Sequence, residues 1–301
     1  MSVVGDARKW AAADASTAEA AARAAAAHVP GMAFDGFQDG PVVEGRAWRR
    51  AFFVQAGRRY ALVPGGSVQL GFDVEEFTPT PAQAAAHAEG ADEYGYPADV
   101  REYLRGLGES APGRLSAPRE VRVPGMLVAV EAVPVDELIG DEGDDFDDDF
   151  DDDFDDDGDA AEGGDGAKAL DRQVSAALAT FGARAITPDE WEYACGAGTG
   201  TLFRWGDSYP DVADPFSAPD GPQHEMNRFG IAIARDPYDC ELTSEPGVLV
   251  GGDGGEATCG GYGAFLAWLP LASAYRLTPS AGAWGDHVAD AVVRPVIDLA
   301  P

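Results

Sequence analysis

Apolar positions follow two different patterns along the chain, one helical and one typical of strands. Residues 7–28 are rich in alanine and predict a helix, which Trp10 anchors and which ends at Val29-Pro30-Gly31. Beyond them the apolar runs become short, and Phe52-Phe53-Val54 and Tyr60-Ala61-Leu62-Val63 flank a turn that predicts a hairpin. The chain is therefore expected to begin with an Ala-rich helix and to continue in strands.

Shorter elements are predicted along much of the remaining chain. The pattern indicates helices over residues 82–87 and 97–105 and strands over 119–124, 126–130 and 291–297. The sequence of 301 residues also contains 38 Gly and 21 Pro. Because these two residue types favour turns, a loop-rich architecture is expected rather than a helical bundle.

The clearest local signal is a helix start at Thr187. Thr187 is suited to cap a helix, Pro188 to occupy its first position, and Glu190 to complete a capping box. Gly196 is expected to end this helix, and a Gly-rich loop then leads to the turn Arg204-Trp205-Gly206-Asp207. The segment predicts a short capped helix followed by a turn whose large aromatic residue, Trp205, is expected to be buried.

A strongly acidic segment lies near the middle of the chain. Residues 141–159 hold thirteen Asp and one Glu, and the net charge of −32 would still be −18 without them. Adjacent carboxylates repel one another and nothing nearby offers a core, so a disordered insertion is expected over 139–168. Docking of a basic protein partner through 141–159 is the alternative interpretation. A short amphipathic helix is expected over 169–181.

The overall charge also limits the classes of partner. Such an acidic chain repels phosphate backbones and anionic membranes, so neither nucleic acid nor a membrane is expected as a partner. No apolar stretch approaches the length of a membrane-spanning helix, and the first residues lack the pattern of a signal peptide. Three cysteines do not make a disulfide scaffold. A cytoplasmic location is therefore expected.

Several motifs stand in an order that resembles the formylglycine-generating enzyme, or sulfatase-modifying factor, family. The motifs, in chain order, are Trp191-Glu192-Tyr193-Ala194, Trp205-Gly206-Asp207, Asn227-Arg228-Phe229-Gly230, Gly251-Gly252 and Ala274-Tyr275-Arg276. The resemblance covers roughly residues 52–299, apart from the acidic insertion. It implies an irregular α+β fold of the C-type-lectin-like kind, with residues 1–38 as an N-terminal helical arm and 39–301 as the domain.

The oxidases of this family hold copper through two cysteines that follow the Gly-Gly strand. Counted from Asp253, those positions in this chain are Glu256 and Gly261, and neither is a cysteine. Cys259 stands alone between them, and one thiolate cannot form a two-sulfur site for Cu(I). Copper is therefore not expected as a cofactor, although the sequence leaves open whether Cys240 and Cys259 meet in space.

Family members also bind Ca²⁺ through a loop that begins with Asn-x-Phe-Gly. This chain keeps Asn227, and the carboxylates of Asp236, Asp239 and Glu241 replace the family's second motif. Oxygen ligands of this kind suit a hard cation such as Ca²⁺. The alternative is an ordinary solvated acidic loop, and the sequence leaves both interpretations open.

Aromatic residues near the Gly-rich segment are expected either to line a shallow ligand pocket or to fill the core. The pocket hypothesis includes Trp205, Tyr262, Trp268, Tyr275 and Arg276.

The sequence supports three functional hypotheses. The first is a non-catalytic binding or scaffold protein, a pseudoenzyme on a formylglycine-generating-enzyme-like fold, whose protein or small-molecule ligand the sequence does not identify. The second is an enzyme of the same family with altered oxidative chemistry around Cys259, assisted by Asp253, Glu256 and Arg276. The third is an acidic interaction protein that docks a basic partner through residues 141–159.

Overall fold

The computed structural model describes residues 2–43, 45–107, 113–140, 162–280, 283–288 and 290–299, with only the backbone described at 162–167 and 286. Within these ranges, helices and short strands alternate with long loops. The expected mixed α+β, loop-rich class is therefore confirmed.

The helices are mostly short, and none of those described is long and apolar enough to cross a bilayer. In chain order they are α1 Ala7–Ala12, α2 Ala15–Ala27, α3 Pro81–Tyr94, α4 Val100–Gly106, α5 Val135–Ile139, α6 Glu162–Ala179, α7 Pro188–Gly196, α8 Glu256–Cys259, α9 Ala264–Trp268 and α10 Trp284–Val288.

The strands are likewise short, except for the first two. In chain order they are β1 Ala33–Val43, β2 Arg46–Gln55, β3 Arg58–Val63, β4 Gly66–Leu70, β5 Gly113–Leu115, β6 Arg119–Val123, β7 Met126–Ala129, β8 Val133–Pro134, β9 Arg184–Ala185, β10 Glu241–Leu242, β11 Leu249–Val250, β12 Tyr275–Leu277, β13 Val292–Val293 and β14 Pro295–Asp298.

These strands form two larger sheets and a ribbon within the described ranges. The first sheet has the order β1-β2-β3-β7-β14-β9, and all its neighbours are antiparallel. The second has the order β5-β12-β11-β10-β13-β8, in which β10 and β13 run parallel. Strands β4 and β6 form a separate two-stranded ribbon.

The predicted hairpin is confirmed in β2 and β3. Gln55 pairs with Arg58, so only Ala56 and Gly57 form the turn. Both turn residues have positive φ, +49° and +79°, as a type I′ turn requires. This turn matches the right-handed twist of the strands and fixes their register.

The prediction of one continuous helix over residues 7–28 is wrong, because the chain forms two helices there. The carboxylate of Asp14 caps α2 by accepting the backbone N–H of Thr17, which competes with continuation of α1. Trp10 does anchor the segment: it is buried, and its indole N–H donates to the Arg49 carbonyl at 3.0 Å. The Ala-rich segment therefore packs on the first sheet through Trp10.

Two predicted boundaries do not coincide with the ends of helices or strands. The boundary between residues 38 and 39 lies inside β1, which pairs with β2 along its length. Helix α6 begins at Glu162, earlier than the helix predicted over 169–181, because each further helical residue adds a hydrogen bond once the helix is nucleated. The rest of the predicted insertion, residues 141–161, lies outside the described residues.

Arg294 links the two sheets at the point where the chain passes from one to the other. The closing strand predicted over 291–297 is divided there, with β13 in the second sheet and β14 in the first. The guanidinium donates to both carboxylate oxygens of Glu241, at 2.6 and 2.9 Å, and to the carbonyls of Ala129, Val130 and Ala232. One buried side chain thus satisfies acceptors from both sheets.

Candidate functional site

A cleft of about 510 Å³ opens between α3, α4, α8 and α9. This volume lies within the range of about 300–1,000 Å³ that is typical of small-molecule sites. The ionisable side chains of its walls are Tyr94, Tyr96, Tyr103, Tyr262, Tyr275, Asp253 and Glu256. No Lys, Arg or His is among the described residues that line it. We refer to this feature as the tyrosine cleft.

The end of α3 places two of these tyrosines. Helix α3 ends at Gly95, which has φ of +74° and therefore adopts the left-handed conformation that glycine accepts without strain. The chain changes direction at Gly95, and Tyr94 and Tyr96 flank this residue with ring centroids 6.1 Å apart and nearly parallel planes. The local sequence Tyr-Gly-Tyr thus forms a stacked aromatic pair at the C-terminal end of α3.

The remaining rings fix this pair in place. Tyr262 stands edge-on to Tyr94 at 5.0 Å, and Tyr96 contacts Tyr103 at 5.3 Å. Offset and edge-to-face arrangements of this kind are favourable because ring faces are electron-rich and ring edges electron-poor. His87 packs against Tyr103 at 5.0 Å, and burial lowers the pKa of His87, so this imidazole stays neutral at physiological pH.

Three hydroxyls of the cleft also stay neutral, those of Tyr96, Tyr103 and Tyr275. Burial, then the neighbouring tyrosines and the charge of Glu256, raise the pKa of Tyr96. The pKa of Tyr103 is raised by the same combination, again with burial as the largest cause. Burial raises the pKa of Tyr275 well above its usual value as well. These three side chains therefore offer neutral phenols and electron-rich ring faces.

Two carboxylates complete the tyrosine cleft. Asp253 is only 4% exposed and accepts the backbone N–H groups of Gly255 and Ala257 at 2.9 and 3.0 Å. Burial nevertheless dominates and raises the pKa of Asp253 to about 6. Glu256 is exposed at the start of α8. No described cation forms an ion pair with Asp253 or Glu256, so their charge is not compensated within these ranges.

Gly90 allows α3 to approach the loop that carries Tyr262. A Cβ atom at Gly90 would lie 2.6 Å from the carbonyl oxygen of Tyr262, closer than real contacts allow.

The Gly90→Ala variant is expected to lose about 1–3 kcal/mol of unfolding free energy, measured by urea denaturation, because helix and loop must separate. Gly106→Ala is the matched control, since nothing lies within 4 Å of a Cβ there. Equal stability of the two variants would contradict this account of the contact.

The structure brings four of the sequence-predicted residues together. Tyr262 and Tyr275, expected in a ligand pocket, line the same cleft as Asp253 and Glu256, which were expected as catalytic candidates. The four come from segments that the sequence alone could not place side by side.

Two tryptophans of the predicted pocket lie elsewhere. Trp268 is fully buried and stacks on Tyr209 at 5.4 Å, while Trp205 stacks on Phe203 at 5.0 Å. Neither tryptophan lines the tyrosine cleft. Trp268 therefore follows the alternative interpretation, in which the aromatic residues of this region fill the core, and the half-buried Trp205 packs against that core.

Arg276 is held in a cluster of four charges and does not line the tyrosine cleft. Its guanidinium contacts Asp189 at 2.6 Å and Glu192 at 3.2 Å, and Arg119 contacts the same two carboxylates at 2.6 and 2.8 Å. This cluster ties β6 and β12 to α7, whose predicted capping box between Thr187 and Glu190 is present. The geometry gives Arg276 a positioning role between these elements.

The three cysteines are free thiols and differ in their surroundings. Cys195 and Cys240 are buried, and burial raises the pKa of the Cys240 thiol to about 12. Cys259 is exposed, and its Sγ lies 2.6 Å from the hydroxyl oxygen of Tyr238. A protonated, buried thiol is a poor metal ligand. Cys240 and Cys259 are not bonded to each other.

Two residues of the hypothetical calcium loop are held by other protein groups. The side-chain oxygen of Asn227 accepts the backbone N–H groups of Phe229 and Ile231 at 3.0 Å each, and the carboxylate of Glu241 pairs with Arg294. Within the described ranges, no group of three or more His, Cys, Asp or Glu side chains is arranged to hold a metal ion. A calcium site using Asn227, Asp236, Asp239 and Glu241 stays a prediction, and ion binding would compete with these contacts.

Sequence reasoning missed three residues of the tyrosine cleft: Tyr94, Tyr96 and Tyr103. The helix predicted over 82–87 stops too early, since α3 continues to Tyr94. The signal that was available is the run Tyr94-Gly95-Tyr96-Pro97, in which aromatic residues flank a helix-ending glycine.

Comparison with protein-family models and with curated protein sequences finds no match for this chain. The interpretation of the site therefore depends on its own geometry. That geometry is a small-molecule-sized cleft with five tyrosines, two carboxylates and no basic side chain among its described lining.

Proposed function

We propose that this chain is a non-catalytic binding protein that holds an organic cation in the tyrosine cleft. The observation that carries the proposal is the combination of five tyrosines with two carboxylates that no described cation neutralises. A ligand with a positively charged alkylammonium group complements both kinds of side chain.

The energetics favour a cation over a neutral ligand. A cation over a tyrosine face gains about 0.5–2 kcal/mol, and more when water is displaced from the contact. Burial of a carboxylate such as Asp253 is costly without a counter-charge, so a cationic ligand would also offset that penalty. A neutral ligand of the same shape would gain neither contribution.

An alkylammonium ion fits the walls better than a metal ion does. Ca²⁺ takes six to eight oxygen ligands at about 2.3–2.6 Å, whereas ring faces provide area and no lone pairs. The cleft volume of about 510 Å³ is also that of an organic molecule. Recognition of quaternary ammonium groups by aromatic side chains is a known use of this interaction.

The resemblance to the formylglycine-generating enzyme family supports the same location. The two positions at which it implies sulfur ligands are Glu256 and Gly261. Glu256 lines the tyrosine cleft, and a side chain at Gly261 would contact the hydroxyl of Tyr94. We infer a C-type-lectin-like scaffold on which a carboxylate and tyrosines have taken the place of copper ligands.

The alternative hypothesis of altered oxidative chemistry around Cys259 has less support. Asp253 and Glu256 line the tyrosine cleft, whereas Cys259 does not and instead contacts Tyr238. The third hypothesis, a basic partner that docks on residues 141–159, concerns a segment outside the described residues.

Choline, a small quaternary ammonium ion, is the probe for this site. Its affinity is expected to fall about fivefold between about pH 7.5 and about pH 5, because the negative charge of one carboxylate is lost. The pKa of Asp253 is about 6, so its negative charge is present above that pH and is removed below it. Calorimetric titrations at several pH values measure this dependence. In the Asp253→Asn variant, choline affinity should depend less on pH. Affinity that stays constant or rises on acidification would argue against a cation site at Asp253.

A further inference from the structure

A second groove, of about 1170 Å³, lies between α1, the start of β2 and the ribbon of β4 and β6. Four of the 21 basic residues in this acidic chain line it: Arg8, Arg46, Arg122 and Arg228. We refer to it as the arginine groove. Its residues are separate from those of the tyrosine cleft.

None of the four guanidinium groups of the arginine groove forms an ion pair with a described carboxylate. Arg8, Arg46 and Arg122 are exposed, and none forms an ion pair with a described acidic side chain. Arg228 is placed over the ring of Trp48, 5.5 Å from its centroid, and makes no ion pair in the described ranges either. By contrast, Arg184 and Arg294 are each held by carboxylates. The groove thus concentrates unpaired positive charge.

The shape of the groove suits an extended ligand. One wall is the exposed face of the ribbon, where Ser67 pairs with Arg122 and Gln69 pairs with Glu120. Trp48 and Tyr193 lie beneath the groove and are almost fully buried. Arg122 is the arginine of this exposed face, and an extended peptide laid along the ribbon would present side chains at the same two-residue repeat.

We propose that the arginine groove binds an acidic peptide segment of a partner protein. Carboxylate groups spaced along an extended chain match several guanidinium groups, each of which can bind a carboxylate through two parallel hydrogen bonds. Asp6 and Glu120 also line the groove, and the whole chain carries −32. These negative charges oppose nucleic acid, in which every unit is anionic, but a peptide can place neutral residues opposite them.

The test uses the full chain and a fluorescein-labelled peptide of alternating Glu and Ala, followed by fluorescence anisotropy at low salt. Arg46→Ala combined with Arg122→Ala is expected to weaken binding about tenfold, since two exposed charge contacts are lost. Arg101→Ala combined with Arg172→Ala is the matched control, because both arginines are exposed, lie outside the groove and form no ion pair in the described ranges. Affinity should also fall as salt is added.

Several results would overturn the proposal. These are no binding of the acidic peptide, equal binding of a peptide of alternating Gln and Ala, and an equal loss in the control pair. Tighter binding of single-stranded DNA or of anionic lipid vesicles than of the peptide would likewise overturn it. Because the two sites share no residues, saturating choline is expected to leave peptide affinity unchanged.

Discussion

Replacing Arg294 with Met is expected to lower the free energy of unfolding by about 3–5 kcal/mol. Arg294 is 2% exposed and Glu241 is 3% exposed, so the variant would leave a buried carboxylate without its counter-charge. It would also remove the donors to three backbone carbonyls at the junction of the two sheets. Urea denaturation followed by circular dichroism measures the loss.

Two further variants make this prediction specific. Arg23→Met removes an exposed i,i+4 ion pair with Glu19 and is expected to cost less than about 0.5 kcal/mol. Combining Arg294→Met with Glu241→Leu should recover part of the loss, because no unpaired charge then remains in the core. A cost below about 1 kcal/mol for Arg294→Met alone would show that this pair does not join the sheets as described.

Combining Glu256→Gln with Tyr96→Leu is expected to weaken choline binding about thirtyfold, or about 2 kcal/mol. The first change removes a charge from the tyrosine cleft, and the second removes an aromatic face. Glu256 is exposed and forms no described ion pair, while Tyr96 is half-buried, so little of the core is disturbed. Calorimetric titration measures the affinity.

The control for this variant carries the same two changes elsewhere. Glu102→Gln combined with Tyr238→Leu alters an exposed acid and an exposed tyrosine that do not line the tyrosine cleft. Choline affinity should be unchanged in it, and thermal denaturation should show both proteins folded. Equal losses in the two variants would mean that general charge and aromatic content, not the cleft, determine binding.

Elements whose signals lie within a few residues of sequence were predictable. The capping box at Thr187 and Glu190 forms as expected, and so does the hairpin between β2 and β3. Both depend on hydrogen bonds between near neighbours, which the residue types determine almost alone. The Ala-rich segment shows the limit of this reasoning, because the cap at Asp14 divides a region of uniformly high helix propensity.

The site was less predictable because distant segments form it. Tyr94 and Tyr262 are far apart in sequence, and they meet because α3 packs closely against the Tyr262 loop at Gly90. Arg276 is adjacent to Tyr275, yet the alternation of β12 assigns their side chains to different environments: Tyr275 lines the cleft and Arg276 joins the charge cluster. Residue type and proximity in sequence do not distinguish these two positions.

Two ligands that differ only in charge show whether the tyrosine cleft recognises positive charge. The experiment is calorimetric titration of the full chain with choline and with its uncharged isostere, in which a tert-butyl group replaces the trimethylammonium group. We expect one choline per chain and at least about tenfold weaker binding of the isostere, because only the cation gains from the ring faces and carboxylates. Equal affinity for the two molecules, or no binding of choline, would show that the cleft does not recognise positive charge.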